Sequence, residues 1–187
     1  LWIERNDSVQ AAQVRALLLK EPRKGDDAIL AAEVERILAT QNADGSLGEN
    51  NTTGQLIRLS RLGCDPDRPE VKAAVDYICR DDELNDRGIL GGYAVYVVDW
   101  AGYGDAELIT RSTRHHAARV MTMDFFGLCP WGGQVCTRGL WSGRDYADIT
   151  PALERGMNVL LQSVQEGKGW PPFLDPFFGG RGRGRGI

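Results

Sequence analysis

An all-α chain built as an array of helical hairpins is what this sequence predicts, and three observations predict it. Apolar residues recur at helical spacing in segment after segment, while strand signals are poor. Glycines that would stop a short helix, Gly63, Gly102 and Gly143, stand 39 and 41 residues apart. Turn glycines Gly45, Gly88, Gly132 and Gly169 stand 43, 44 and 37 residues apart. Two independent landmarks sharing a period near 40 mark a repeat of short helix, glycine stop, capped amphipathic helix and glycine turn.

Taken in order, the first predicted helix begins at Ser8, carries Val14, Leu17 and Leu18, and ends before Pro22. Leu30, Val34, Ile37 and Leu38 give the next an apolar face and leave Glu33, Glu35 and Arg36 to solvent. Leu56, Leu59 and Leu62 run into Gly63. Asp67 and Pro69 signal a new start, and Val71, Ala74, Val75 and Ile78 form its face. Tyr93 to Val98 is the single β-like run, and the wider segment ends at Gly102. Asp105 is positioned to cap a helix with Ile109, Thr113, His116 and Val120 on one side. Val135 to Ser142 runs into Gly143, and Thr150-Pro151 opens a helix with Leu153, Met157, Leu160, Leu161 and Val164 on its face. Short apolar helices alternating with longer amphipathic ones suggest an inner and an outer layer. Each hairpin then needs neighbours to bury its apolar faces.

The expected repeat domain covers residues 1–178, followed by a disordered Gly/Arg tail over 179–187. A net charge of −4 and a pI near 5.3 argue against a nucleic-acid groove, so no nucleic-acid partner is expected. No run approaches the ~18 apolar residues of a membrane span, and no leader pattern opens the chain. It starts at Leu1 rather than Met, which is compatible with a natural N-terminus upstream. Cys64, Cys79, Cys129 and Cys136 form no regular framework, so reduced thiols and a cytoplasmic location are expected.

Gln41-Asn42-Ala43-Asp44-Gly45-Ser46-Leu47, echoed by Gln165-Glu166-Gly167-Lys168-Gly169-Trp170, resembles the Gln-Trp repeats of the squalene-hopene and oxidosqualene cyclases. Thr53-Gly54-Gln55-Leu56 through Leu62-Gly63, with a Pro-started helix after it, is similar to the wider terpenoid cyclase and protein prenyltransferase superfamily. The likeness runs over roughly residues 2–178 and is weaker over 84–135. It implies an α/α toroid around an inner cavity, here a partial ring of about eight helices, and an apolar, isoprenoid-like ligand. The open edge of such a ring implies an oligomer or a further segment to close it. The family's chemical signatures are missing. The Asp-x-Asp-Asp acid, the magnesium-binding Asp-Asp-x-x-Asp and the zinc-binding Asp-x-Cys have no match, although Asp26-Asp27 and Asp81-Asp82 are acidic pairs.

Asp99 stands within Tyr93-Ala94-Val95-Tyr96-Val97-Val98-Asp99-Trp100, where a partly desolvated carboxyl would have a raised pKa. Such an acid beside Tyr96, Trp100 and Tyr103 suits protonation-initiated cyclisation. The alternative is an Asp that caps a helix or bonds a neighbouring hairpin. Trp131, in Cys129-Pro130-Trp131-Gly132-Gly133-Gln134, either lines the cavity mouth or fills a hairpin junction. His115 and His116 are read as one solvated and one packed side chain rather than as a zinc set with Cys129 and Cys136. No metal or cofactor is expected. Residues 170–178 read as a packed strap, and Arg181, Arg183 and Arg185 as a solvated tail in preference to an RNA-binding one.

Three functional readings follow. One is an isoprenoid cyclase or transferase using Asp99, with Tyr96, Trp100, Tyr103 and Trp131 lining its pocket. Another is a non-catalytic member binding an apolar ligand or a protein. The last is a carbohydrate-active α/α-toroid enzyme.

Overall fold

The computed structural model describes residues 2–49, 51–80, 88–102, 106–122 and 139–162, and among these every regular element is a helix. In chain order they are α1 (Trp2–Arg5), α2 (Val9–Gln13), α3 (Asp26–Leu38), α4 (Thr52–Arg61), α5 (Pro69–Arg80), α6 (Gly92–Trp100), α7 (Ala106–Thr122) and α8 (Thr150–Gln162). A π-helical turn, Val14–Leu19, continues α2, and a short 3-10 turn, Trp141–Gly143, precedes α8. None of the described helices is long and apolar enough to cross a membrane. The β-like run Tyr93–Val98 is helical, because four of its residues, Ala94, Val95, Val97 and Val98, are buried around most of the helix rather than on alternate sides.

The chain divides into two compact units, and the division falls within α6. In the first unit, α2 packs on α3, and α4 packs on both α3 and α5. Ser8 caps α2 as predicted, its hydroxyl accepting from the Ala11 amide at 3.2 Å. Leu30, Val34, Ile37 and Leu38 are buried, as are Leu56, Leu59, Leu62, Val71, Ala74, Val75 and Ile78. The predicted apolar faces of α3, α4 and α5 therefore all lie inward.

Glu33 departs from its predicted exposure. It is buried because Arg36 binds its carboxylate through two nitrogens at 2.7 and 2.8 Å and Arg58 reaches it from α4. Its pKa is lowered by that Arg36 fork, with Arg58 adding to the effect. The leucines of the first helix depart the other way. Arg15 is buried instead of them, and Leu17, Leu18 and Leu19 face solvent. The π turn accounts for this: its extra residue per turn rotates the helix so that the Arg15 guanidinium meets Asp26 at 2.5 and 2.8 Å. Arg15 also donates to the carbonyls of Ile3 and Asn6, tying α1, α2 and α3 together.

The Gln41 turn joins α3 to α4 and packs on α5. Gln41 Nε2 donates to the Gly45 carbonyl at 3.2 Å and to the Glu70 carbonyl, in the first turn of α5, at 2.7 Å. Asn42 holds Ser46 and the Gly48 carbonyl, and Asp44 accepts from the amide and hydroxyl of Ser46. Those Ser46 bonds lower the Asp44 pKa. Leu47 is driven inside, its amide capped by the Thr52 hydroxyl at 3.0 Å. Gly45, Gly63, Gly88 and Gly102, the expected turn and stop glycines, all have positive φ, between 60° and 94°, which side-chain-bearing residues rarely adopt.

In the second unit α7 packs on α8 and on the 3-10 turn. Ala117, Val120, Leu140, Ile149 and Ala152 form its core, with Leu153 and Val159 packed against them. Arg155 on α8 donates to the Val120 carbonyl at 3.0 Å, satisfying an acceptor in the last turn of α7. Met157 and Leu161, expected on the buried face of α8, are exposed, because Ala152 and Gly156 take the inward side.

Candidate functional site

The residues singled out from the sequence do not assemble into a described cavity. Asp99 is exposed, near the C-terminal end of α6, so the partial burial expected of it is not there. The physical reason is the helix itself. Its buried positions are filled by Gly92, Ala94, Val95, Val97 and Val98, and a carboxylate with no charged partner among the described residues goes to water. Tyr96 and Trp100 are each half-buried on the same helix, and Tyr103 and Trp131 lie outside the described residues. So do Asp105, Val164, Cys129, Cys136, the Gln165–Trp170 motif, the 170–178 segment and the 179–187 tail. Neither Cys64 nor Cys79 is in a disulfide, and burial pushes up the pKa of both thiols. They are therefore poor nucleophiles at neutral pH.

The chemistry-bearing residues that the structure does bring together belong to α7. Its inward face carries Ser112, Thr113 and His116, all buried. Ser112 Oγ accepts from the Leu90 amide at 3.0 Å, and His116 Nε2 lies 2.8 Å from the Leu90 carbonyl. Since a carbonyl only accepts, Nε2 carries the proton and Nδ1 is left as the basic nitrogen. His116 Nδ1, Thr113 Oγ1 and Ser142 Oγ are buried without a hydrogen-bond partner among the described residues. The segment bearing Ser142 lies against this face: a β-carbon on Gly143 would come within 2.4 Å of Thr113 Cγ2, and one on Gly139 within 3.0 Å of the His116 ring. Desolvation lowers the His116 pKa, and neighbouring His115 and Arg119 push the same way, so the ring is neutral at pH 7. The expected division between the two histidines holds, with His115 exposed and His116 packed.

Beside that face, a cleft of about 460 Å³ opens between α7 and the start of α8. Ala117, Ala118, Met121, Ile149, Pro151 and Ala152 give it an apolar lining, and Arg114 and Asp148 close one rim through a 2.8 Å ion pair. Both partners are more than half exposed. Such a pair is worth about 1 kcal/mol or less and opens readily. The volume lies in the range of small-molecule clefts, and one polar pair on an apolar wall is their usual composition. No sequence reading found this site. Its one signal was the run Arg114-His115-His116-Ala117-Ala118, where small residues follow charged ones on a helix and leave room beside it.

Compared with known proteins, the chain matches no family model, no curated protein and no solved structure. The cleft and the helical fold therefore carry the functional argument.

Proposed function

We propose that this protein is a non-catalytic binding member of the terpenoid cyclase and prenyltransferase superfamily, a partial α/α toroid that holds an elongated apolar, isoprenoid-like molecule. The α7–α8 cleft, apolar-walled and closed at one rim by Arg114 and Asp148, is the observation that carries this reading. An apolar chain would lie along Ala117, Ala118, Met121 and Ile149, and a polar end group would displace the exposed ion pair at the rim. The Gln41 staple onto α5 and the left-handed repeat glycines support the hairpin-repeat part of the reading. Exposure of Asp99 favours binding over protonation-initiated cyclisation, because that chemistry needs an acid enclosed with its apolar substrate away from water.

The test is calorimetric titration with farnesol, farnesyl diphosphate and squalene, run on the wild type and on Ala118→Trp, with mass spectrometry of the mixtures. Ala118 is exposed in the cleft wall, so a Trp there fills the space without entering the core. Saturable binding that weakens at least tenfold in Ala118→Trp, with the ligand recovered unchanged, is the expected result. Equal binding by both proteins, or none by either, would remove the proposal. A new product that disappears in Asp99→Asn would replace it with the enzymatic reading.

A further inference from the structure

The charged rim of the α7–α8 cleft is not symmetrical. Both walls of the cleft lie in the second compact unit, and Arg114 and Asp148 are the charged residues among those lining it. The two are held differently. Arg114 stands in the middle of α7, a helix of 17 residues, whereas Asp148 lies in the turn that precedes α8. A side chain rooted in a helix keeps its place, while a turn yields when a competitor takes its partner. The pair also leaves most of the guanidinium unused. Arg114 meets Asp148 through Nε alone, at 2.8 Å, and its terminal nitrogens make no hydrogen bond among the described residues. The N–H fork that suits a carboxylate is therefore open at the rim.

The surroundings favour an anion there over a cation. The acidic and basic side chains exposed along α7 are Glu107, Arg111, Arg114 and Arg119, three cations against one acid. Pro151 and Ala152, in the cleft wall, open α8, so the positive end of that helix dipole faces the same space. The size of the anion is limited as well. Arg114 is the sole cation among the described lining residues, so it matches a group of single negative charge. A diphosphate would bring charge that no second lining residue neutralises.

We propose that the ligand of this cleft is an apolar chain ending in one carboxylate, and that Arg114 selects it by exchanging the Asp148 carboxylate for the ligand's. This rests on the binding reading above and narrows it to one class of head group. The exchange is like for like. Arg114 keeps an anionic partner throughout, the ligand seated on the fork gains a second N–H···O bond, and Asp148 turns to water. Asp148 is then an internal competitor, which keeps Arg114 paired in the empty cleft and lowers the affinity of every anionic ligand. A neutral alcohol that breaks the pair restores no charge to Arg114. An amine would have to displace the helix-rooted partner instead of the one on the turn.

The test is calorimetric titration at about pH 7.5, where a carboxylic acid is ionised. The ligands are farnesoate, dodecanoate, farnesol and farnesylamine, and the proteins are the wild type, Arg114→Gln and Asp148→Asn. Both altered residues are more than half exposed, and thermal melts check that each variant is folded. The acids should bind the wild type roughly tenfold more tightly than the alcohol or the amine, the size of one charge-assisted hydrogen bond. Asp148→Asn removes the competitor and should widen that gap by roughly threefold to fivefold, the worth of an exposed ion pair. Arg114→Gln should close it to within about twofold. The tighter of the two acids names the chain type, branched isoprenoid or straight. A gap that narrows in Asp148→Asn, a gap that survives in Arg114→Gln, or a wild type that holds farnesol as tightly as farnesoate would overturn this inference and leave the apolar cleft reading in place. A wild type that binds none of these ligands would remove the cleft reading itself, and this inference with it.

Discussion

Gly45 has φ +94°, and a β-carbon built there would lie 2.6 Å from the Ala73 carbonyl oxygen on α5. Gly63 has φ +74° but nothing within 4 Å, so comparing the two separates backbone strain from close packing. Gly63→Ala should cost only the left-handed penalty of about 1–2 kcal/mol. Gly45→Ala should cost more, because the turn must also lift off α5 and stretch the Gln41–Glu70 bond. At this chain length each kcal/mol shifts the melting midpoint by about 2–4 °C, and calorimetry should rank the two in that order. Equal losses would show that contact with Ala73 contributes nothing. Thr113 makes the opposite prediction. Its hydroxyl is buried with no partner among the described residues, so Thr113→Val, similar in shape, removes an unmet polar group. We expect stabilisation of about 1 kcal/mol. A lowered midpoint would mean that the hydroxyl has a bonding partner in solution. The special role of Gly45 was readable as a turn glycine in a recurring motif. The burial of the Thr113 hydroxyl was half-readable, from its place on an apolar face.

At the scale of elements, the junction of α2 and α3 rests on a charge pair. The Arg15 guanidinium, with the Arg23 amide, holds the Asp26 pKa down to about 2. A carboxylate whose folded pKa is depressed stabilises the fold above its unfolded pKa of about 3.9. That contribution is lost as pH falls through the folded value. Urea midpoints for the wild type should therefore drop between about pH 4 and about pH 2, and Asp26→Asn should flatten that limb. At pH 7 the same variant should be less stable, because it leaves Arg15 buried beside an uncharged amide. Glu33, also lowered, will leave part of the limb in place. An acid limb unchanged in Asp26→Asn would dismiss the pair as a source of stability. The sequence displayed Asp26 as half of an acidic pair at a helix start. Its partner eleven residues upstream was hidden, because a π turn has no sequence signature and reads as an ordinary amphipathic helix. Faces made only of aliphatic residues, as on α3, α4 and α5, were readable because burial of such side chains depends on period alone.

For the whole molecule, a stripe with helical period can point inward or outward, and only the packing of the other elements decides which. Met157 and Leu161 illustrate this. Their spacing matches a buried stripe, and only Ala152 and Gly156 packing inward on the other side of α8 shows that the stripe points out.

By itself the sequence determined the all-α class, the inward apolar faces of α3, α4 and α5, the glycine stops and the stapling role of Gln41. Each of these depends on local periodicity or on a backbone angle that one residue type permits. Tertiary structure alone decided that Asp99 faces water, that Glu33 and Arg15 are buried, that His116 keeps its proton on Nε2, and that a cleft opens between α7 and α8. Those outcomes depend on which distant groups arrive beside a side chain, and burial of a charge is settled by its partners rather than by its neighbours in the chain.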